Sequence, residues 1–257
     1  MTVTRRDDVN QKYVISKNIE KITSAVFYIN FATAIVSLFI PNSLQEMVIM
    51  FQMIMAISSV TLSVIDDGVF WYAAERARRR NNIQTAFDIT LDEAQTVGYY
   101  NNTLEPSIEK YALNAFESLH HSRGIAEKMI CKSILKSAIA LLILFVACRY
   151  IADGNVVLAI TQTAFSSCIV EETIMLLIYR NRLDTLYNEF YTQFITLGVG
   201  VDKQKPILLA ATVEYEAIKA HYKVRLDSSI HKKCNPELSA EWNKISQEIA
   251  TTAIRRR

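Results

Sequence analysis

Four long apolar stretches, residues 22–40, 44–65, 134–152 and 156–178, divide this 257-residue chain. Each is 19 to 23 residues long; at a rise of about 1.5 Å per residue, that matches the roughly 30 Å hydrocarbon core of a bilayer. The stretches fall into two pairs, joined by the short polar turns Pro41-Asn42-Ser43 and Asp153-Gly154-Asn155. Turns this tight make antiparallel helical hairpins. Charge is sparse within the stretches and dense in residues 66–133 and 179–257. The expected fold is therefore all-α, an integral membrane protein with transmembrane helical hairpins at 22–65 and 134–178. A cytosolic segment (1–21), a cytosolic helical stalk (66–133) and a cytosolic helical tail (179–257) complete it. A soluble bundle with helices buried all round is the alternative, kept open by the polar residues inside the stretches.

The placement of charge sets the orientation. A formal net charge of +2 is too small to argue for direct nucleic-acid binding. Arg5, Arg6, Lys12, Lys17 and Lys21 precede the first stretch, Arg76 to Arg80 and Lys128 to Lys132 lie between the hairpins, and Arg180 and Arg182 follow the last. Neither short turn holds Lys or Arg, so the positive-inside rule puts both termini and the central region in the cytoplasm. The first twenty residues are too polar for a typical signal sequence and read as part of a retained anchor. Cys131, Cys148, Cys168 and Cys234 lack metal-ligand spacing, and a cytosolic or lipid setting argues against a disulfide framework.

Along the chain, residues 66–95 continue the second membrane helix, because Ala73, Ala74, Arg76, Ala77 and Arg78 favour helix and no breaker interrupts them. The end is expected near Asp88 to Asp92. Ser107 to Met129 reads as a helix with Tyr111, Ala115, Phe116, Leu119 and Arg123 along one stripe. Leu183, Leu186, Tyr187, Phe190, Tyr191, Phe194 and Leu197 carry the fourth membrane helix onward at a spacing that needs an apolar partner, as far as Gly198 and Gly200. Pro206 opens a further helix through about Leu226, and Asn235-Pro236 reads as N-cap and first turn of the last one.

Polar groups inside the stretches are the first functional candidates. Glu171 and Glu172 lie six or seven residues before the fourth stretch ends, and folding the second hairpin about its turn sets Lys136 level with Glu171. These residues read as an ion pair or snorkelling near the interface, as a carboxylate ring lining a pore, or as part of a shorter helix that leaves the lipid before Glu171. Asn30, Gln52 and Thr163 typify hairpins unusually rich in amides and hydroxyls. Such groups hydrogen-bond between helices within a subunit, or they face water when several copies assemble.

No catalytic constellation emerges, and neither cofactor nor metal is expected. Gly198-Val199-Gly200 lacks the strand and Lys-Ser/Thr of a phosphate loop. His120, His121, His221 and His231 show no ligand spacing and read as solvated helix residues. Arg78, Arg79 and Arg80, with Arg255, Arg256 and Arg257, are candidates for anionic lipid headgroups. Tyr99, Tyr100, Asn101 and Asn102 offer phenols and amides that read a ligand or cap the stalk. Trp71 and Tyr72 suit an interfacial belt or a stalk contact.

The order of parts resembles bacterial four-transmembrane-helix pore-forming effectors of antiphage defence. It consists of a membrane hairpin, a stalk with the Arg76 to Asp88 run including Gln84 to Asp88, a second hairpin, and Ile178-Tyr179-Arg180-Asn181-Arg182 entering a helical tail. That resemblance implies inner-membrane localisation, a homo-oligomer, and membrane disruption triggered by a nucleotide messenger or an associated defence protein. The rival from another class is a membrane-anchored scaffold or sensor without a conducting pore. A small lipid-acting enzyme would need an acid and nucleophile pair that the sequence does not offer.

Overall fold

A computed structural model of the chain describes residues 6–37, 40–92, 96–97, 100, 102, 104–150, 169–197 and 203–255. The fold is all-α. Its helices are α1 (Asp8–Val36), α2 (Asn42–Ile65), α3 (Tyr72–Phe87), α4 (Ile108–Tyr150), α5 (Ile169–Tyr191), α6 (Gln204–Tyr222) and α7 (Ser228–Arg255). Two residues each of β1 (Arg6–Asp7) and β2 (Thr96–Val97) form a minimal antiparallel bridge, Arg6 opposite Val97 and Asp7 opposite Thr96.

Local chemistry explains the helix ends. Pro41 starts α2 because its φ of −58° suits the turn and its carbonyl accepts from Leu44 N–H at 2.9 Å. From there helix continues through a π-helical turn, Asp66–Trp71, into α3 without a break. The run stops at Phe87, where Asp88 enters the left-handed region with φ 53°, and the Gln84 carboxamide oxygen accepts from Leu91 N–H at 2.9 Å. Ser107 caps α4, its hydroxyl accepting from Lys110 N–H at 3.1 Å. The helix expected over 107–129 and the third apolar stretch are one element of 43 residues, since nothing between Met129 and Ile134 interrupts helix.

The last helix corrects the reading of its start. α7 begins at Ser228, not at Pro236, which lies inside it. Asp227 is the cap: its Oδ1 accepts from Ser229 N–H at 2.8 Å and Ile230 N–H at 3.4 Å, and its carbonyl from His231 N–H at 2.9 Å. A carboxylate that satisfies orphan amides outweighs the single amide that Pro236 removes further along.

The chain folds into two compact units. One is formed largely by Ala77–Ser133 and Thr173–Arg257. Its core gathers Phe116 and Leu119 of α4, Tyr179, Leu183, Leu186, Phe190 and Phe194 around α5, Leu208 and Tyr215 of α6 and Trp242 of α7. Phe116 stacks on Phe190 at 5.4 Å and meets Trp242 edge-on at 5.2 Å. Burying such rings supplies most of the stabilisation in a bundle of this kind. Gly124 brings α7 close: a Cβ there would lie 2.5 Å from Leu238 Cδ2. The other unit comprises Asp8–Arg76 and Ile134–Glu172. In it α1 and α2 are an antiparallel hairpin, and Tyr13 sets the register by meeting Trp71 edge-on at 5.6 Å and donating to Glu75 Oε1 at 2.6 Å.

Candidate functional site

One helix among the described residues, Ser43–Phe87, is long and apolar enough to cross a bilayer, and no residue of its apolar window is buried inside the chain. Met47, Met50, Ile54, Ile57, Val60 and Val64 are all exposed. Some polar residues take the opposite position, although Gln45, Thr61 and Ser63 of the same helix are exposed. Ser16 is 1% exposed, Asn30 9% and Asp66 1%, and Gln52 and Thr23 are half-buried.

Their spacing reveals a pattern that the residue-by-residue sequence reading missed. Ser16, Thr23, Asn30 and Ser37 recur every seventh residue on α1 and just past its end, and Gln45, Gln52, Ser59 and Asp66 recur every seventh along the partner run. A seven-residue repeat holds one face of a helix on the seam of a left-handed pair; here Ser16, Thr23 and Asn30 on one side and Gln52, Ser59 and Asp66 on the other are at least half-buried, whereas Gln45 is exposed. With Tyr13 against Trp71, Asn30 and Gln52 fall within one helical turn of each other. Ser16 Oγ, Thr23 Oγ1, Asn30 Oδ1 and Gln52 Nε2 are buried and have no hydrogen-bond partner among the described residues. Ser37 donates instead to Ala34 O at 2.6 Å.

The second hairpin departs from expectation. Lys136 and Glu171 are both exposed, and no ion pair joins them among the described residues. Hydroxyls hold that crossing: Ser133 Oγ and Thr173 Oγ1 are 2.6 Å apart, and Ser137 Oγ donates to Ile169 O at 3.1 Å. Serine and threonine reach a neighbouring backbone at close approach, whereas the long Lys136 and Glu171 side chains point out. Glu172 is exposed too. Thr163 lies outside the described residues.

Arg78 is not free for a lipid headgroup. Its guanidinium pairs with both oxygens of Glu216, Nη1 to Oε1 at 3.1 Å, the two side chains being only 15% and 12% exposed. It also lies over the Tyr215 ring at 5.9 Å. Planar, bidentate recognition of a carboxylate explains the choice. Arg80 is likewise held, by Leu91 O and by Asp92 Oδ2 at 3.6 Å, while Arg79 is half-buried. Arg255 closes α7, and Arg256 and Arg257 are outside the described residues, as are Tyr99 and Asn101. Tyr100 and Asn102 turn onto α4: Asn102 Nδ2 donates to Asn114 Oδ1 at 2.6 Å, and the Tyr100 hydroxyl lies 3.4 Å from that of Ser118.

The adjacent histidines also differ from a solvated pair. His120 is buried, its Nε2 3.1 Å from Leu238 O and 3.7 Å from Glu241 Oε2. Burial lowers its pKa, and burial together with His120 and His231 lowers that of His121 to about 4. Both imidazoles are therefore neutral at pH 7, consistent with His120 lying at a tilt against the Tyr187 and Trp242 rings. Among the described residues no group of three or more His, Cys, Asp or Glu is arranged to hold a metal ion.

Among the described residues the fold is helical, with one helix both long and apolar enough to cross a bilayer and buried polar residues inside the first hairpin. No family model, curated protein or solved structure matches the chain.

Proposed function

We propose that this protein is a multi-pass membrane effector that assembles into a homo-oligomer and perturbs membrane permeability on a cytosolic signal. The observation that carries the reading is the polarity of the first hairpin: α2 presents a large apolar surface outward, while Ser16 and Asn30 of α1 are buried and Thr23 and Gln52 half-buried. A soluble helix reverses that order. Lipid is the solvent that accepts such a surface, and a polar seam is the part of it that can conduct.

The first unit supplies a body on which a signal can act, and a ligand that prefers one of two arrangements by a few kcal/mol shifts the population accordingly. By the resemblance in the order of parts, the setting is antiphage defence at a bacterial inner membrane, with both termini cytoplasmic. The trigger is then a nucleotide messenger or an associated defence protein. Induced expression beside a potential-sensitive dye tests it: depolarisation within the induction period is expected, and an unchanged membrane potential with the trigger present overturns it.

A seam closed within a single hairpin also suits a membrane-anchored scaffold or sensor. Replacing Gln52, Thr163 and Glu171 by apolar residues separates the two, because an anchor tolerates the change and a conducting assembly loses flux.

A further inference from the structure

Resting on the membrane reading of the third apolar stretch and not on conduction, we infer that the corner between α6 and α7, with the facing turn of α4, binds the headgroups of anionic phospholipids. Residues 219–233 hold five Lys and Arg against one acid, Asp227, and residues 128–133 add Lys128 and Lys132 with no acid. A basic cluster of this density beside a membrane helix is a recognition element for anionic lipid.

Local structure gathers the cluster. α6 stops where Lys223 enters the left-handed region with φ 48° and its N–H donates to Lys219 O at 3.2 Å. The short link that follows is fixed to α4 at Asp227, whose N–H donates to Met129 Sδ at 3.4 Å and whose Oδ2 accepts from Lys132 Nζ at 3.3 Å. From there α7 runs antiparallel to α4, since Leu238 O lies 3.1 Å from His120 Nε2. Lys232 and Lys233 fall midway between those contacts and are therefore roughly level with Lys128.

Position along α4 brings the cluster to the interface. Lys132 and Lys128 are two and six residues short of Ile134, where the third apolar stretch begins on the same helix. The distances are about 3 Å and about 9 Å along the axis, against a headgroup layer of about 5–7 Å and a screening length of about 8 Å at physiological salt. Lys128, Lys232 and Lys233 are exposed, and none of the three forms an ion pair among the described residues. Acids nearby are engaged: Asp227 caps α7, Asp184 holds Arg123 and Arg180, and Glu127 faces Arg180 at 3.9 Å. The headgroup role expected of Arg78 and Arg80 thus passes to these three lysines.

Native mass spectrometry of the full chain in a non-ionic detergent tests this, with phosphatidylglycerol and phosphatidylcholine of identical acyl chains added in turn. Phosphatidylglycerol is expected to bind about a hundredfold more tightly, and the triple variant Lys128→Gln, Lys232→Gln, Lys233→Gln to lose most of that preference at an unchanged Tm. Arginine at the same three positions should keep it, and so should Lys203→Gln with Lys244→Gln, which are exposed elsewhere on α6 and α7. Equal affinity of the unmodified protein for the two lipids, or a preference that survives the glutamine variant, overturns the headgroup site. Displacement of bound phosphatidylglycerol by micromolar inorganic pyrophosphate overturns it too, and assigns the cluster to a soluble anion. None of these results bears on depolarisation after induction, which alone decides the permeability reading.

Discussion

Arg78 illustrates how a neighbour decides what a charged residue does. In sequence it belongs to a basic run beside a membrane span, the place where headgroups are bound. In the fold Glu216 stands 138 positions away and takes both arms of the guanidinium. Removing one partner of a pair this buried leaves the other without compensation, so Arg78→Ala should destabilise the protein by about 3 kcal/mol. A lowered Tm in detergent with unchanged affinity for anionic vesicles is the expected pair of results, and a normal Tm with lost vesicle binding would restore the headgroup role. Similar reasoning covers His120, whose burial beside Leu238 and Trp242 is invisible in a His-His dipeptide.

Among the elements, α7 depends most visibly on one capping residue. The Asp227 carboxyl is lowered from 3.8 to about 2, chiefly by the Ser229 hydroxyl, with burial opposing and the amides of Ser229 and Ile230 and the Lys132 ammonium assisting. Because the folded value is the lower one, the stabilisation is complete above about pH 4 and is lost as pH falls towards 2. Asp227→Ala should therefore cost about 1 kcal/mol near neutrality, and the gap between variant and parent should close on acidification. Chemical denaturation at pH 7 and pH 2.5 checks both parts; a gap that persists at the lower pH would assign the effect to something other than the ionised cap. The same element shows why Asn235-Pro236 misleads: the pair has the right composition for a helix start, yet the better acceptor eight residues earlier takes that role.

At the scale of the whole molecule, the exposed apolar surface of α2 is the dominant property. Met47, Met50, Met53, Ile54, Ile57, Val60 and Val64 are each more than half exposed, a contiguous face far beyond what monomeric soluble proteins tolerate. The protein should accordingly partition into the membrane fraction and need detergent for extraction. A monodisperse species in detergent-free buffer after size-exclusion chromatography would contradict that and remove the basis for any permeation. Helical character, the continuation of α2 into α3 and the apolar stripe of α5 could all be read from the chain because they follow from local propensity and periodicity, which depend on near neighbours. The heptad of polar residues was equally present in the sequence and emerged only when Ser16, Asn30 and Asp66 were seen buried together. Which charges pair, which histidines lose water and which amide faces the seam were decided by tertiary structure, because each depends on a group far away in the chain whose position no local pattern encodes.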